Sequence, residues 1–235
     1  NLANMGVYLF RREVLDKALW EDRQRKGSSH DFGKDILPRL IKSKTRVFAY
    51  PYSGYWMDVG TLASYWQAHM DLLAPSPHLK LYNRSWIIHT RTAERPPARF
   101  PAKGKVYASM ICDGCFIEEG ATVESSVLSP GVIVRSGAVV RESIVLTDAE
   151  IRSGAVVERS VLDKQARVEE HARVGWGVTD QNIRIALVGK GSVVPSGYVV
   201  EPEAEIGTDV IQSDYPDPTI RAGQVIQTKR QPNEI

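Results

Sequence analysis

Three consecutive stretches of equal length decide the fold: residues 117–133 read IEEGATVESSVLSPGVI, residues 134–150 read VRSGAVVRESIVLTDAE, and residues 151–167 read IRSGAVVERSVLDKQAR. Aliphatic residues recur at the same places in each stretch, in three columns that start at Ile117, Val123 and Val127. Three such columns in each repeat predict a coil of three short strands whose aliphatic side chains fill the interior. Glycines recur at a corner with the same period, where a positive φ is tolerated. The pattern predicts an all-β left-handed parallel β-helix of hexapeptide repeats.

The repeat becomes a strict six towards the end of the chain, with aliphatic residues at Val188, Val194, Val200 and Ile206. Residues 175–187 break the register and are predicted to loop out. We therefore place the β-helix at residues 104–212 and a C-terminal tail at residues 213–235.

Residues 1–78 alternate between strand and helix patterns, which is typical of an α/β domain. Strands are predicted at Gly6–Phe10 and Arg46–Tyr50, and helices near Arg12–Glu21, after Asp31 and after Thr61. Two or three strands are too few to close such a sheet, and the first strand begins almost at Asn1. We therefore expect the start of this domain to lie upstream of the chain. The proline-rich residues 79–103 are predicted to be a linker.

The bulk composition excludes several classes of protein. The chain has 235 residues, a formal net charge of +2 and 25% charged residues, so nothing predicts a nucleic-acid partner. The longest apolar runs fall short of the roughly 18 residues that a membrane helix needs. Two cysteines do not make a disulfide framework, and they predict a reducing, cytoplasmic setting.

Asp58 is the first candidate for chemistry, within the segment Tyr55–Thr61. A carboxylate between a strand and a helix cap can reach the cleft at the carboxyl edge of an α/β sheet, where ligands bind. An oxygen ligand of this kind suits Mg²⁺, which takes one or two carboxylates together with phosphates. The alternative is a turn aspartate that only caps the following helix, and the residues alone favour this alternative.

Two further residues are candidates for binding a sugar. Asp31 could accept hydrogen bonds from sugar hydroxyls or cap its own helix, and capping is the commoner role. Asn4 precedes the first predicted strand and is either a turn residue or a sugar ligand.

Two features of the β-helix favour a structural role. Cys112 and Cys115 are separated as in a metal-binding pair, but a structural zinc site needs four ligands and no second pair exists. His171 replaces the corner glycine of the repeat, and a solvated corner is a simpler interpretation than a catalytic base of an acyltransferase.

Three motifs together resemble one family. They are Asn4-Met5-Gly6-Val7-Tyr8, Ser28-Ser29-His30-Asp31-Phe32-Gly33-Lys34-Asp35-Ile36 and Tyr55-Trp56-Met57-Asp58-Val59-Gly60-Thr61. Their order, and the linker segments at residues 81–90 and 96–100, resemble bacterial glucose-1-phosphate adenylyltransferase. The likeness covers nearly the whole chain, and the linker is its most family-specific part, because the third motif is shared by other sugar nucleotidyltransferases.

The resemblance implies that residues 1–78 are the C-terminal part of a Rossmann-like nucleotidyltransferase domain. The family makes ADP-glucose and pyrophosphate from ATP and glucose 1-phosphate for glycogen synthesis. By resemblance, Asp58 is a catalytic Mg²⁺ ligand, Asn4 contacts the glucose moiety and Asp31 lies near its phosphate. The family usually has serine at the position of Asn4, and asparagine is common in related mannose-transferring enzymes. The resemblance also implies a homotetramer with a sugar-phosphate effector pocket that Arg84 or Arg99 would line.

Four functional hypotheses follow. The first is a fragment of an adenylyltransferase that is inactive alone, because the glycine-rich nucleotide loop, its basic residues and a second aspartate are not in it. The second is a non-catalytic regulatory paralogue of the same family, and the third is a guanylyltransferase for mannose 1-phosphate. The fourth is a β-helix acyltransferase, which would need a histidine on a strand face.

Overall fold

The computed structural model describes residues 3–90, 93–102, 105–176 and 183–231. The chain divides into two compact units, Asn1–Trp56 and Met57–Ile235. The first contains α1 (Arg12–Arg23), a π-helical turn (Phe32–Ile36) and α2 (Leu37–Lys42), and the second begins with α3 (Leu62–Leu72). Within the described ranges, none of these helices has the length and apolar content that crossing a bilayer requires.

The second unit is a parallel β-helix, as predicted. Its strands, in chain order, are β1 (Lys105–Tyr107), β2 (Met110–Ile111), β3 (Phe116–Ile117), β4 (Thr122–Glu124), β5 (Val127–Leu128), β6 (Ile133–Val134), β7 (Val139–Arg141), β8 (Ile144–Val145), β9 (Glu150–Ile151), β10 (Val156–Glu158), β11 (Ser160–Leu162), β12 (Arg167–Val168), β13 (Arg173–Val174), β14 (Ala186–Val188), β15 (Val193–Val194), β16 (Val199–Val200), β17 (Glu205–Ile206), β18 (Thr219–Ile220) and β19 (Val225–Ile226). They form three parallel sheets, ordered β1-β4-β7-β10-β13-β16-β18, β2-β5-β8-β11-β14-β17-β19 and β3-β6-β9-β12-β15. Each strand pairs with the strand one coil away, so Val123 faces Val140, which in turn faces Val157.

Two of the three predicted aliphatic columns fill the interior. The columns that begin at Ile117 and Val123 are almost completely buried in one continuous core. The prediction for the third column is wrong, because Ile144 and Val161 point to the outer side of their sheet. The neighbouring residues Leu128, Val145 and Leu162 take the interior place. Side chains alternate across a strand, so a shift of one residue exchanges the two faces.

The outward apolar column is covered by α3. Trp66 packs against Ile144, Val161 and Ile185 in a second buried cluster, and only 9% of its surface is exposed. Its indole Nε1 donates a hydrogen bond to the backbone carbonyl of Glu142 at 2.6 Å. An outward aliphatic column needs such a cover, because it would otherwise expose a continuous apolar stripe.

A ladder of buried serines runs through one corner of the coils. Ser126, Ser143 and Ser160 are fully buried, and each follows a residue with a positive φ. The Ser143 hydroxyl donates to the carbonyl of Arg141 at 2.6 Å and accepts the backbone N–H of Ser160 at 3.2 Å. Its own backbone N–H donates to the hydroxyl of Ser126 at 3.1 Å. Ser126 and Ser143 thus each accept a buried backbone N–H of the next coil.

A Ser143→Ala substitution is expected to destabilise the β-helix by about 1–3 kcal/mol. It leaves the buried N–H of Ser160 without its acceptor, whereas the Arg141 carbonyl keeps the N–H of Arg159. Urea unfolding followed by circular dichroism measures the change. Ser136→Ala is the matched control, because the Ser136 hydroxyl lies at an exposed corner and donates to a carbonyl. Equal losses for the two variants would contradict the role of the ladder.

Charged residues on the outer faces pair between coils. The guanidinium of Arg141 donates to Glu124 at 3.2 Å and to Glu158 at 2.9 Å, each one coil away. Arg159 contacts Glu142 at 2.6 Å in the same way. Exposed pairs of this kind contribute at most about 1 kcal/mol each, so the buried columns remain the main source of stability.

The strands continue past residue 212, where the aliphatic pattern predicts the β-helix to end. Ile220 and Ile226 lie in the same core as the earlier columns. They pair with Val200 and Ile206, each 20 residues earlier, whereas the coils before residue 175 repeat every 17 residues. The last coil is longer because it contains a short 3₁₀ turn (Gln212–Asp214). This changed spacing hides it from a search for a fixed period.

The C-terminal part of the proline-rich segment contacts the β-helix through Arg95 and Arg99. Arg95 forms a two-pronged ion pair with Asp148, at 2.6 and 2.9 Å, and Arg99 pairs with Phe116 as an isolated parallel bridge. The predicted domain boundary at residues 103 and 104 lies outside the described residues. The same holds for residues 177–182 of the predicted loop, and strand pairing resumes at Ala186.

The two strands predicted in the first unit are not formed in the structure. Residues 6–10 and 46–50 are extended, but in the described part of this unit neither segment forms a β-ladder. A strand needs a neighbour, and these segments have none there. Val7, Leu9, Phe48 and Tyr50 are therefore largely exposed.

Pro38 fits its helix because of the turn that precedes it. It lies in the first turn of α2, where a missing N–H is tolerated. The preceding residues Phe32–Ile36 form the π-helical turn, so α2 begins only at Leu37. The helix that was predicted after Asp31 is therefore two short helical segments in succession.

Candidate functional site

Tyr8, Phe10 and Phe32 form a half-buried aromatic cluster in the first unit. The rings of Tyr8 and Phe32 stack with centroids 5.6 Å apart, and Phe10 lies 5.9 Å from Phe32. Asn4 is attached to this cluster, since its Nδ2 donates to the hydroxyl of Tyr8 at 2.9 Å. Its Oδ1 accepts the backbone N–H of Gly6 at 2.9 Å, which makes Asn4 a turn residue. One donor and one acceptor of its amide are left over for a ligand.

Asp31 immediately precedes Phe32, a member of the same cluster, in the chain. Its Oδ1 accepts the N–H of Lys34 at 2.7 Å, so it caps the π-helical turn, as the sequence favours. The side chain is exposed, and among the described residues no donor bonds its second oxygen. Asp31 can therefore cap the turn through Oδ1 and still offer Oδ2 to a ligand. Asn4 thus contacts the cluster through Tyr8, and Asp31 is related to it as the chain neighbour of Phe32.

A buried carboxylate, Asp22, holds the loop that precedes Asp31. It lies in the last turn of α1 and is only 2% exposed. It accepts the hydroxyl of Ser28 at 2.9 Å, Nδ1 of His30 at 2.7 Å and Nη2 of Arg39 at 2.7 Å. The hydrogen bonds from His30, Arg39 and Ser28 lower the pKa of Asp22 to about 2 against the opposing effect of burial. This carboxylate is therefore ionised at every ordinary pH.

A second carboxylate, Asp35, fixes the same loop from the π-helical turn. Its Oδ2 accepts the hydroxyl of Ser29 at 2.6 Å and the backbone N–H groups of Ser29 and Asp31 at 3.1 and 3.2 Å. The hydroxyl of Ser29, followed by the N–H of Asp31, lowers the pKa of Asp35. Two carboxylates thus define the conformation of residues 28–31.

Asp58 lies at the start of the second unit and does not cap α3. Thr61 does so, because its Oγ1 accepts the N–H of Ser64 at 3.1 Å while the Ser64 hydroxyl accepts the N–H of Thr61 at 3.2 Å. The Oδ1 of Asp58 accepts the N–H of Gly60 at 3.2 Å in a tight turn, and the side chain is exposed. Helix capping is therefore not the role of Asp58.

Asp58 is not part of a cluster of metal-binding side chains in the described part of the chain. Among the described residues, no group of three or more His, Cys, Asp or Glu side chains could hold a metal ion. A single exposed carboxylate with one oxygen committed to a turn is suited to Mg²⁺, which usually keeps several waters and takes the phosphates of a substrate.

The structure also places the two cysteines and His171, the residues of the β-helix that were weighed as metal ligands or a catalytic base. Cys112 is exposed, whereas Cys115 is buried in the core, and this burial raises the pKa of the Cys115 thiol, which disfavours the reactive thiolate. His171 lies at an exposed corner with φ of 59°, and its ring covers Gly154 of the preceding coil. These surroundings favour the structural role that the sequence predicts for them.

Asp22 and His30 were not singled out from the sequence. The one available signal is position, because Asp22 lies one helical turn after Ala18 and both are buried on the same side of α1. A carboxylate on the buried side of a helix requires partners, and these come from Ser28, His30 and Arg39. Nothing local in the sequence pairs these residues with it.

Two family models match the chain. A "Nucleotidyl transferase" model matches residues 1–74, and a "GlmU-like, C-terminal hexapeptide" model matches residues 96–195. The two matches follow each other in the order of the two units and are separated by the proline-rich segment.

Curated relatives match over both parts. A glucose-1-phosphate adenylyltransferase of Thermomicrobium roseum is 45% identical over 235 residues, which covers 96% of this chain and 54% of the relative. One from Pseudothermotoga lettingae is 38% identical over 237 residues, covering 97% of the chain and 56% of the relative. One from Geobacillus stearothermophilus is 45% identical over 126 residues, covering 54% of the chain and 32% of the relative. In its longest matches the chain spans about half the length of the curated relatives.

Proposed function

The chain is a relative of the glucose-1-phosphate adenylyltransferases over nearly its whole length, and on this premise we propose that it is part of an enzyme that makes ADP-glucose. The substrates are ATP and glucose 1-phosphate, and pyrophosphate is the second product. The supporting observation is that a single set of relatives matches the nucleotidyltransferase part and the β-helix in one order. We place the enzyme in the cytoplasm and in glycogen synthesis.

In the proposed reaction a phosphate oxygen of glucose 1-phosphate attacks the α-phosphorus of ATP, and pyrophosphate leaves. Bound Mg²⁺ neutralises phosphate charge, and Asp58 is the residue of this chain that would hold it. Asn4 and Asp31 bind the sugar phosphate at the aromatic cluster, where Asn4 offers one donor and one acceptor and Asp31 offers one free oxygen. Within the first unit, Asn4 and Asp31 would orient the sugar phosphate, and positioning of the reactants is a large part of catalysis in phosphoryl-type transfer.

We propose that the polypeptide alone does not form ADP-glucose. It spans about half of its relatives, and in the described part of the first unit no strand pairs with residues 6–10 or 46–50, which carry exposed apolar side chains. Purified chain incubated with ATP, glucose 1-phosphate and Mg²⁺ is expected to give no product, while the Geobacillus stearothermophilus relative serves as the positive control. ADP-glucose above the no-enzyme blank would refute this prediction.

Asn4 favours a second candidate, a guanylyltransferase for mannose 1-phosphate, because asparagine is common at this position in related mannose-transferring enzymes. An active enzyme that contains this chain separates the candidates through a panel of ATP or GTP with glucose 1-phosphate or mannose 1-phosphate. We expect ATP and glucose 1-phosphate to give the highest kcat/KM. A preference for GTP and mannose 1-phosphate would establish the second candidate, and no turnover with any pair would favour a regulatory paralogue.

We propose that the β-helix serves assembly and regulation in a homotetramer and performs no chemistry itself. Its outer charges are paired between coils, and Arg99 lies over the ring of Phe116 at 5.3 Å. Arg84 and Lys80 line a cavity of about 740 Å³ beside α3 and Met110, where a sugar-phosphate effector would meet two cations. Deletion of residues 104–235 from an active enzyme is expected to lower the oligomeric state in sedimentation and to abolish the effector response. A truncated enzyme that remained tetrameric and regulated would contradict this role.

A further inference from the structure

The ring of His30 is fixed by a carboxylate that the proposed mechanism does not use. Nδ1 of His30 lies 2.7 Å from Oδ2 of Asp22, whose side chain is 3% exposed, whereas the side chain of His30 is 58% exposed. An ionised carboxylate can only accept a hydrogen bond, so Nδ1 carries the hydrogen. In the neutral ring the lone pair therefore lies on Nε2, the nitrogen that Asp22 does not contact.

The backbone of His30 is fixed by the same carboxylate. Its φ is 58°, a left-handed conformation that is uncommon for a residue other than glycine and costs free energy. The N–H of His30 donates to the hydroxyl of Ser28 at 3.1 Å, and that hydroxyl donates to Asp22 at 2.9 Å. Asp22 thus holds the ring directly and the strained backbone through Ser28.

The strained residue immediately precedes Asp31, whose N–H is held by Asp35 at 3.2 Å. The loop is therefore clamped from α1 by Asp22 and from the π-helical turn by Asp35, while Arg39 of α2 balances the buried charge of Asp22. A surface turn does not by itself require an exposed imidazole to be held in one orientation beside an exposed aspartate. Strain that surrounding contacts maintain is a feature of functional sites.

We propose that Asp22 is a positioning residue that fixes His30 as the Nδ1–H tautomer and presents Nε2, beside the carboxylate of Asp31, as a hydrogen-bond acceptor for hydroxyls of the bound sugar. The sugar-binding part of this inference rests on the proposed function. The alternative is that Asp22 only stabilises the first unit.

The tautomer is tested on the full chain by ¹⁵N NMR of the histidine rings. We expect the His30 hydrogen on Nδ1 in the wild-type chain and its loss from Nδ1 in Asp22→Asn. Asp16→Asn is the matched control, since Asp16 lies on the same helix, is exposed and pairs only weakly with Arg12 at 3.5 Å. A wild-type ring with its hydrogen on Nε2, or an unchanged ring in Asp22→Asn, would overturn the positioning role.

The sugar contact is tested by titrating the same chain with glucose 1-phosphate. His30→Asn keeps a donor near the position of Nδ1 and removes Nε2, so it separates ligand contact from loop structure. We expect affinity to fall about tenfold, or about 1.4 kcal/mol, in His30→Asn and Asp22→Asn, with wild-type affinity in Asp16→Asn. Unchanged affinity in His30→Asn, or no binding by the wild-type chain, would overturn the contact.

The outcomes distinguish this inference from the proposed function. The ring tautomer decides the positioning role whatever the affinity for sugar. The substrate panel on an active enzyme decides the reaction independently, because it does not depend on His30. A chain that binds glucose 1-phosphate through His30 in an enzyme that prefers another nucleotide would keep this inference and revise the reaction.

Discussion

In an active enzyme that contains this chain, Asp58→Asn is expected to lower kcat about a thousandfold with little change in stability. Among the described residues, the exposed carboxylate is bonded by the N–H of Gly60, and an asparagine oxygen can accept the same bond. The substitution therefore preserves the turn and removes the negative charge that a Mg²⁺ ligand needs. Steady-state kinetics with saturating ATP, together with urea unfolding, measure the two quantities.

Asp217→Asn provides the matched control for this substitution. Asp217 makes a turn of the same kind, with its Oδ1 accepting the N–H of Thr219 at 2.9 Å, but it lies in the β-helix. We expect normal turnover from this variant. Near-normal kcat in Asp58→Asn would refute the metal-binding role, and a large loss in both variants would show that the effect is not specific to the carboxylate of Asp58.

Gly175→Ala is expected to destabilise the β-helix by about 4 kcal/mol or more. Gly175 has a φ of +71°, and an added Cβ would overlap the backbone carbonyl oxygen of Glu158 and the hydroxyl of Ser160. The carbonyl belongs to the preceding coil and cannot rotate away as a side chain would. The coils must therefore move apart, which breaks the pairing between them. Urea unfolding is the measurement.

Gly197→Ala isolates the steric part of this effect. Gly197 has nearly the same φ, +74°, but a Cβ there meets nothing within 4 Å. Its expected cost is the left-handed strain alone, about 1–2 kcal/mol. Losses of equal size in the two variants would show that backbone conformation, and not the close approach of coils, explains Gly175.

The β-helix was predictable because its pattern is local and repeated. Ile117 and Val123 have their counterparts at the same places in the following repeats as far as Val168 and Val174, and each coil needs only its neighbours. The column of Ile144 was assigned to the wrong face, since an aliphatic residue next to another aliphatic residue does not show which of them points inward. Only the position of α3 and its Trp66 resolves that choice.

The first unit was less predictable because its contacts are not periodic. The helices and the capping role of Asp31 follow from local signals, and the structure has them. The segments 6–10 and 46–50 have the composition of strands, yet a strand also requires a partner, which composition does not specify. Asp22 and Arg39 lie far apart in the chain and share no motif, so only the structure joins them.

Because the coils stack in parallel and in register, the β-helix grows along its axis in steps of one coil. Each coil adds about 4.8 Å along the axis, the spacing of neighbouring strands. Removal of residues 134–150 as a block would place Val157 opposite Val123 with every face preserved, because both already align with Val140. Removal of a single hexapeptide would instead move every later strand to the next face of the prism. The β-helix can therefore lengthen or shorten only by whole coils. Any surface at its end then moves along the axis by about 4.8 Å for each coil.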